Sequence, residues 1–262
     1  MEINLKGKSA LVGGSTSGIG LAIAEQLAAC GANVTLVGRN EEKLKSAVDS
    51  LVNTLCQQHQ YLLVDYTNFE AYINVITDYF SRNSIDILVN NTQGPSAGTV
   101  LEKNTEDYQQ AFNLLFQNAV FTTNLAIPKM IQNGYGRIIN VSSMTVKEPQ
   151  DSLVLSNTMR TALISWSKSL ANEVAKHQVT VNSILTGYFE TDRLRSLMEN
   201  QAKSEAKSFE EIKLKRIDAV PIHRLGHPKE YGYLVAFLSS QYASFLTGAS
   251  IPLDGGIAKG LF

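Results

Sequence analysis

A glycine-rich segment near the start of the chain has the composition of a phosphate-binding turn. It reads Gly13-Gly14-Ser15-Thr16-Ser17-Gly18-Ile19-Gly20, and a stretch with helical apolar periodicity, residues 21–30, follows it. Glycine lets the backbone turn tightly and approach a pyrophosphate, while free N–H groups at a helix N-terminus attract its negative charge. The segment therefore predicts a dinucleotide site, with contacts from Gly14, Ser15, Thr16, Ser17, Ile19 and Gly20.

The end of the second apolar run indicates which dinucleotide binds. About 20 residues after such a glycine turn, a Rossmann unit for NAD carries an acid that hydrogen-bonds the ribose 2′-hydroxyl. Here the run ends Leu36-Val37-Gly38-Arg39-Asn40, without an acid and with an arginine that can fork onto a phosphate. Arg39 and Asn40 thus predict NADP(H). The alternative is an ordinary exposed arginine at the beginning of a helix.

The elements that would position these residues alternate along the whole chain. Apolar runs of strand length occur at residues 9–13, 33–37, 61–64, 86–89, 137–141, 180–185 and 250–253. Continuous apolar strands separated by helical stretches predict a parallel sheet covered on both faces. We expect one α/β domain over residues 1–262, a Rossmann-type doubly wound parallel sheet of about seven strands.

Residues 191–219 depart from this alternation. Charges of both signs surround apolar residues such as Leu194, Met198 and Ile212, as in one or two surface helices. An insertion of this kind beside a site predicts a small helical lid. A pair of solvated helices without that role is the alternative.

Several motifs resemble the short-chain dehydrogenase/reductase family, in order and over nearly the whole chain. They are the glycine segment, Val64-Asp65, Val89-Asn90-Asn91, Arg137-Ile138-Ile139-Asn140-Val141-Ser142-Ser143, Thr180-Val181-Asn182-Ser183 and Leu253-Asp254-Gly255-Gly256. The chain looks most like the 3-oxoacyl-carrier-protein-reductase branch, which also fits Arg224-Leu225-Gly226-His227-Pro228-Lys229-Glu230. The resemblance implies a cytoplasmic, NADP(H)-binding homo-oligomer, a dimer or tetramer. It also implies cofactor contacts from Asp65, Tyr66, Asn91, Gly94, Arg160, Gly187 and Thr191.

The catalytic positions depart from the pattern of this family, which uses Asn, Ser, Tyr and a Lys four residues after the Tyr. Ser143 keeps the serine position, whereas the Tyr and Lys positions fall on Ser156 and Arg160, and the Asn position falls on Leu115. A serine hydroxyl is far less acidic than a tyrosine, and an arginine with a pKa above about 12 relays no proton at neutral pH. We expect an atypical catalytic group of Ser143, Ser156 and Arg160 that binds the cofactor better than it donates protons.

Other residues near these positions are weaker candidates. Tyr188, Lys147 and Glu148 could stand in for the missing acid, but we favour a packing aromatic for Tyr188 and a solvated loop pair for Lys147 and Glu148. His223 and His227 lack cysteine or carboxylate partners at ligand spacing, so we predict no metal site.

Two functions fit these residues. The first is an NADP(H)-dependent reductase of a carbonyl or related polarised double bond, in a ketone or a 3-oxoacyl thioester. The second is an NADP(H)-binding protein with little redox activity: a regulator, a partner subunit, or a lyase or isomerase that reuses the pocket. The polar replacements at Ser156 and Arg160, beside a complete cofactor set, favour the reductase.

Composition limits the partners and the compartment. The 262 residues are 44% hydrophobic and carry a formal net charge of −1, so electrostatics would not attract nucleic acid. The two cysteines, Cys30 and Cys56, fit a reducing compartment, and neither a signal peptide nor a membrane span is expected. We therefore expect a cytoplasmic protein. Surplus apolar residues on two long helices, among them Leu163 and Trp166, favour the homo-oligomer.

Overall fold

A parallel sheet forms the centre of the computed structural model, which describes residues 2–260. Met1 and residues 261–262, which the predicted domain includes, lie outside the described residues. The strands are β1 (Ser9–Val12), β2 (Asn33–Gly38), β3 (Gln60–Leu63), β4 (Ile87–Asn90), β5 (Gly136–Val141), β6 (Val179–Thr186) and β7 (Ser250–Leu253). They form one 7-stranded sheet in the order β3-β2-β1-β4-β5-β6-β7. Each predicted run ends within about one residue of its strand, so the predicted doubly wound α/β fold is confirmed.

Helices cover both faces of the sheet. They are α1 (Gly18–Ala29), α2 (Glu41–Ser50), α3 (Phe69–Arg82), α4 (Thr105–Phe112), α5 (Asn118–Asn133), α6 (Val154–Val174), α7 (Asp192–Ser204), α8 (Phe209–Asp218) and α9 (Pro228–Ser239). One core contains apolar residues of α1, α2 and α9, and a second contains those of α3, α5 and α6. The five inner strands, β1, β2, β4, β5 and β6, therefore bury both of their faces, which explains their continuous apolar runs, whereas the edge strands β3 and β7 are partly exposed.

The strand order reverses between β1 and β4, which are neighbours in the sheet. From β1 the chain adds β2 and β3 on one side, and from β4 it adds β5, β6 and β7 on the other. In sheets of this kind the crevice at the carboxyl ends of the strands, at this reversal, receives ligands. The glycine turn leaves β1 at this point, and Asn91 directly follows β4. The fold thus brings together residues that are about 80 positions apart in the chain.

Two further features lie close to this crevice. A π-helical segment, Asn113–Gln117, joins α4 to α5. The helices α7 and α8 fill the lid segment, residues 191–219, and pack on each other through Leu194, Met198 and the fully buried Ile212. The expected helices of this segment are therefore present.

Among residues 2–260, every helix is too short or too polar to cross a bilayer. In the same part of the chain, no three His, Cys, Asp or Glu side chains gather in a way that could hold a metal ion.

Candidate active site

A cavity of about 1260 Å³ follows the carboxyl ends of the strands from the glycine turn to the lid segment. This volume exceeds that of most small-ligand pockets and suits an extended ligand together with a second molecule. All but one of the predicted site residues line it: Gly14, Thr16, Ser17, Ile19, Gly20, Arg39, Asn40, Asp65, Tyr66, Asn91, Gly94, Ser143, Ser156, Arg160, Gly187 and Thr191.

Ser15 is the exception and corrects the predicted set. Its side chain is fully buried, its hydroxyl donates to the Val12 carbonyl at 2.8 Å, and its Oγ accepts from the Val37 N–H at 2.9 Å. Its own N–H donates to the Val37 carbonyl. Because its polar groups are occupied between β1 and β2, Ser15 fixes the glycine turn to the sheet and does not face the cavity.

The glycine turn forms a close-packed cradle. A Cβ on Gly20 would lie 2.1 Å from the Gly14 carbonyl oxygen, and Gly14 has a φ of +53°. Asn91 Nδ2 donates to the Gly13 carbonyl at 3.0 Å and so fixes the turn to the end of β4. Only glycine permits this approach of two backbones.

The N-terminus of α1 opens onto this cradle. Its N-cap residue, Ser17, makes no side-chain capping bond, and the first turn holds no acid. The first N–H groups of the helix are therefore available to an anion, and the helix dipole favours one there. These features fit the pyrophosphate of a dinucleotide.

At the opposite side of the turn, Arg39 and Lys43 line the cavity with Asn40 and Asp65. The Asn40 side chain accepts from the Lys43 N–H at 2.9 Å and begins α2. Two hydrogen bonds from Thr67 lower the pKa of Asp65, and the charge of Arg39 adds to this effect. The two cations give this end of the cavity the charge that a 2′-phosphate requires.

Ser156 and Arg160 lie one turn apart on α6 and form a hydrogen-bonded pair. The Arg160 Nε donates to the Ser156 Oγ at 3.1 Å, and the Arg160 Nη1 donates to the Val141 carbonyl at 2.6 Å. The guanidinium is thus held between the helix and the end of β5. Ser143 lies two residues beyond β5, and its Oγ accepts from the Thr145 N–H at 3.2 Å.

The pKa of Arg160 lies below the value above about 12 that is usual for an arginine. Burial lowers this pKa to about 10, the nearby Tyr231 opposes the shift, and the positive charge of Arg193 adds to it. Arg160 is still a cation at neutral pH. It is, however, a stronger acid than an exposed arginine, because the protein solvates its charge poorly.

Leu115, on the position expected for the family's asparagine, lies in the π-helical segment. It is buried with Leu155 and Met159 and does not line the cavity. Asn118, the first residue of α5, donates from Nδ2 to the Tyr66 carbonyl at 2.9 Å. Asn118 therefore supports the loop after β3 that carries Tyr66.

The alternative candidates separate in the structure. Tyr188 lines the cavity, and its hydroxyl is 3.5 Å from the Nε2 of Gln150. Lys147 and Glu148 do not line it, and Glu148 accepts the N–H of Lys259. His223 and His227 do not line the cavity either, and the side chain of His227 caps the N-terminus of α9.

Lys43, Gln150, Arg193 and Arg216 are among the cavity residues that sequence reasoning did not assign. Arg193 lies in α7, and its Nη2 donates to the Pro95 carbonyl at 3.2 Å, across the mouth of the cavity. The sequence did offer one signal for Arg193. It is a cation two residues after Thr191, which was a predicted cofactor residue.

Comparison with known proteins agrees with this geometry. Residues 14–258 match the family described as enoyl-(acyl carrier protein) reductase. The 3-oxoacyl-[acyl-carrier-protein] reductase FabG of Aquifex aeolicus is 33% identical over 258 residues, 98% of this chain and 100% of that protein. The NADPH-dependent reductase BacG of Bacillus subtilis is 30% identical over 256 residues, 97% of this chain and 99% of that protein.

A solved structure extends the comparison to three dimensions. The L-sorbose reductase of Gluconobacter frateurii, complexed with NADPH and L-sorbose, is 32% identical, covers 100% of both chains and gives a TM-score of 0.91. The glycine cradle, the sheet order and these full-length similarities lead to one assignment: the chain belongs to the short-chain dehydrogenase/reductase family, in the branch of the 3-oxoacyl-[acyl-carrier-protein] reductases.

Proposed function

We propose that the protein is an NADP(H)-dependent reductase of a carbonyl or related polarised double bond, in a ketone or a 3-oxoacyl thioester, with an atypical catalytic group. One observation carries the proposal. The hydroxyls of Ser143 and Ser156 each accept an N–H bond from the protein, and neither donates to another described residue. Both hydroxyl protons are therefore available to an acceptor in the cavity.

NADP(H) is the cofactor, and the cradle fits it. The helix α1 N-terminus with Gly14, Thr16, Ser17, Ile19 and Gly20 would hold the pyrophosphate, and Arg39 with Lys43 the 2′-phosphate. Gly94, Gly187 and Thr191 line the same path toward Arg160. When bound, NADPH supplies a hydride to the carbonyl carbon.

The proton is the contribution of the chain's own residues. As the carbonyl oxygen gains negative charge, the Ser156 hydroxyl transfers its proton to this oxygen, and the product is an alcohol. The resulting serine alkoxide lies beside the Arg160 cation, which stabilises it until solvent returns a proton. Ser143 donates a second hydrogen bond to the same oxygen. Arg160 thus compensates in part for the weak acidity of serine.

The alternative is a protein that binds NADP(H) with little redox activity. Leu115 favours it, because a buried leucine at the expected asparagine position cannot hold water for a proton relay. The two proposals differ in one measurable property. Oxidation of NADPH with a panel of ketones, imines and acyl thioesters supports the reductase, whereas stabilisation by NADPH in a thermal-shift assay without turnover supports the binding protein.

We also propose a cytoplasmic homo-oligomer. Phe112 and Phe116 stack at a centroid distance of 5.2 Å, and Trp166 of α6 meets Phe116 edge-on at 6.3 Å. These half-buried aromatic residues form a continuous apolar strip along the π-helical segment and α6, as subunit interfaces do. Light scattering at micromolar concentration should report a dimer or tetramer, and a monomer would contradict this proposal.

A further inference from the structure

Arg216 of the lid segment stacks on Tyr188 inside the cavity. Its Cζ lies 4.8 Å from the centroid of the Tyr188 ring, and its Nη2 donates to Gln201 Oε1 at 2.8 Å. Its Nε is buried and has no partner among residues 2–260. No carboxylate in this part of the chain forms an ion pair with Arg216. The side chain thus has a fixed position and an uncompensated charge.

The surrounding charges are mostly positive. Arg160, Arg193 and Lys215 line the cavity together with Arg216, and the acids that line it from residues 191–219 are Asp192 and Glu205. Glu205 is already engaged by Lys207 at 2.7 Å and by Gln201, and these contacts lower its pKa to about 2. Asp192 is exposed in the first turn of α7. Within residues 2–260, none of the four cations Arg160, Arg193, Lys215 and Arg216 forms an ion pair.

Arg216 and the proposed proton donor, Ser156, line the same cavity. Tyr188, on which it stacks, is 3.5 Å from Gln150, and the Gln150 carbonyl accepts from the side chain of Asn157, the neighbour of Ser156. A single ligand in this cavity can therefore meet Arg216 with a negative group and Ser156 with a carbonyl. The long arm of an acyl thioester would instead carry its charges far from the reacting carbonyl.

We propose that the substrate is a small oxo acid whose carboxylate binds the Arg216 guanidinium against Tyr188 while its ketone faces Ser156. This inference rests on the proposed reductase function. A planar guanidinium matches the two oxygens of a carboxylate, and stacking on an aromatic ring keeps the guanidinium in the required plane. Arg216 is then a specificity-determining residue, and Arg193 and Lys215 add attraction for the anion.

The test measures binding separately from turnover. Calorimetry measures the affinity of the protein–NADP⁺ complex for 2-oxobutanoate, 4-oxopentanoate and 5-oxohexanoate, and for the methyl ester of each. NADP⁺ cannot reduce these compounds, so only binding is observed. We expect at least one acid to bind about tenfold or more tightly than its ester, the usual contribution of a charge-assisted contact. Arg216→Gln should abolish that preference and Arg216→Lys should restore part of it. Lys213→Gln, the same charge change on α8 outside the cavity, should leave it intact.

Three results would overturn the oxo-acid inference: equal affinity of acid and ester in every pair, equal loss of both with Arg216→Gln, or no binding of any acid at millimolar concentration. The second result would mean that Arg216 only packs the lid. Assays of NADPH oxidation separate this inference from the reductase proposal. If the acids bind selectively but no NADPH is oxidised, the anion site is supported and the reductase proposal is contradicted. If acids and esters are oxidised equally fast, the reductase proposal is supported and the anion site is contradicted.

Discussion

The Nε of Arg160 lies 3.1 Å from the Oγ of Ser156, and its Nη1 lies 2.6 Å from the Val141 carbonyl oxygen. The arginine thereby joins the helix that carries the proposed proton donor to the strand end that precedes Ser143. Its charge lies beside the serine hydroxyl and faces the cavity that we propose holds the cofactor. Cofactor binding and proton donation should for this reason respond differently to substitution at these two positions.

Arg160→Ala should weaken NADPH binding about tenfold or more, because it removes a cation from the cofactor path and leaves the Val141 carbonyl without its donor. Ser156→Ala should leave NADPH affinity within about twofold of the wild type, because the hydroxyl acts only on the reacting carbonyl. Calorimetric titration with NADPH measures both.

Arg160→Lys serves as the control for lost packing. It keeps the charge and should recover most of the affinity, and the melting temperature of each variant shows whether the fold is intact. An equal effect of Ser156→Ala and Arg160→Ala on NADPH affinity would contradict the division of roles.

Arg39 should decide the choice between NADPH and NADH. No acid ends β2, and Arg39 lies beside Lys43 at the cavity, so NADPH should bind at least about tenfold tighter than NADH at moderate salt. Arg39→Ala should remove most of this difference, and added salt should reduce it in the wild type because the contact is exposed.

Lys45→Ala is the matched control for Arg39→Ala. Lys45 is on the neighbouring helix but forms an ion pair with Glu41 at 2.9 Å and does not line the cavity. The preference for NADPH should persist in this variant. Equal affinities of the wild type for the two cofactors would remove the basis for the assignment of Arg39.

Gly20→Ala should abolish stabilisation by the cofactor. The added methyl group would meet the Gly14 carbonyl oxygen at 2.1 Å, so the turn must open, at a cost of about 1 to 3 kcal/mol in the free energy of unfolding. NADPH should then no longer raise the melting temperature as it does for the wild type.

Gly134→Ala separates the clash from a general loss of stability. Gly134 ends α5 with a φ of +60°, and an added methyl group there would meet no atom of residues 2–260 within 4 Å. Alanine at this position therefore costs only backbone strain, about 1 to 2 kcal/mol. This variant should melt earlier but keep its response to NADPH. A full response in Gly20→Ala would show that the turn is not the cofactor cradle.

The fold was predictable because the five inner strands bury both faces and therefore appear as apolar runs, and the edge strands β3 and β7 still carry short apolar runs. The glycine turn and Arg39 were predictable because their chemistry is local to one segment. Ser15 was misassigned because the pattern cannot distinguish a side chain that faces the ligand from one that donates to Val12 beneath it. The pKa of Arg160 depends on burial, which the sequence does not reveal.

The lid cations illustrate a second limit. The mixed charges of residues 191–219 indicate surface helices but do not show which cations turn inward. Arg193 reaches Pro95, 98 positions away in the chain, and Arg216 stacks on Tyr188. Contacts of this kind arise from the packing of α7 and α8 over the sheet, which local periodicity does not specify.

Single-turnover oxidation of NADPH on a ketone panel tests the central claim, that Ser156 beside Arg160 makes this cavity a reductase site. The account predicts that the wild type oxidises NADPH with at least one ketone and that Ser156→Ala is slower by about tenfold or more, within the range that a proton donor contributes. The combined change Ser156→Tyr with Arg160→Lys should raise the rate on a simple ketone. Absence of NADPH oxidation by a wild type that binds NADPH, or an equally fast Ser156→Ala variant, would contradict the account.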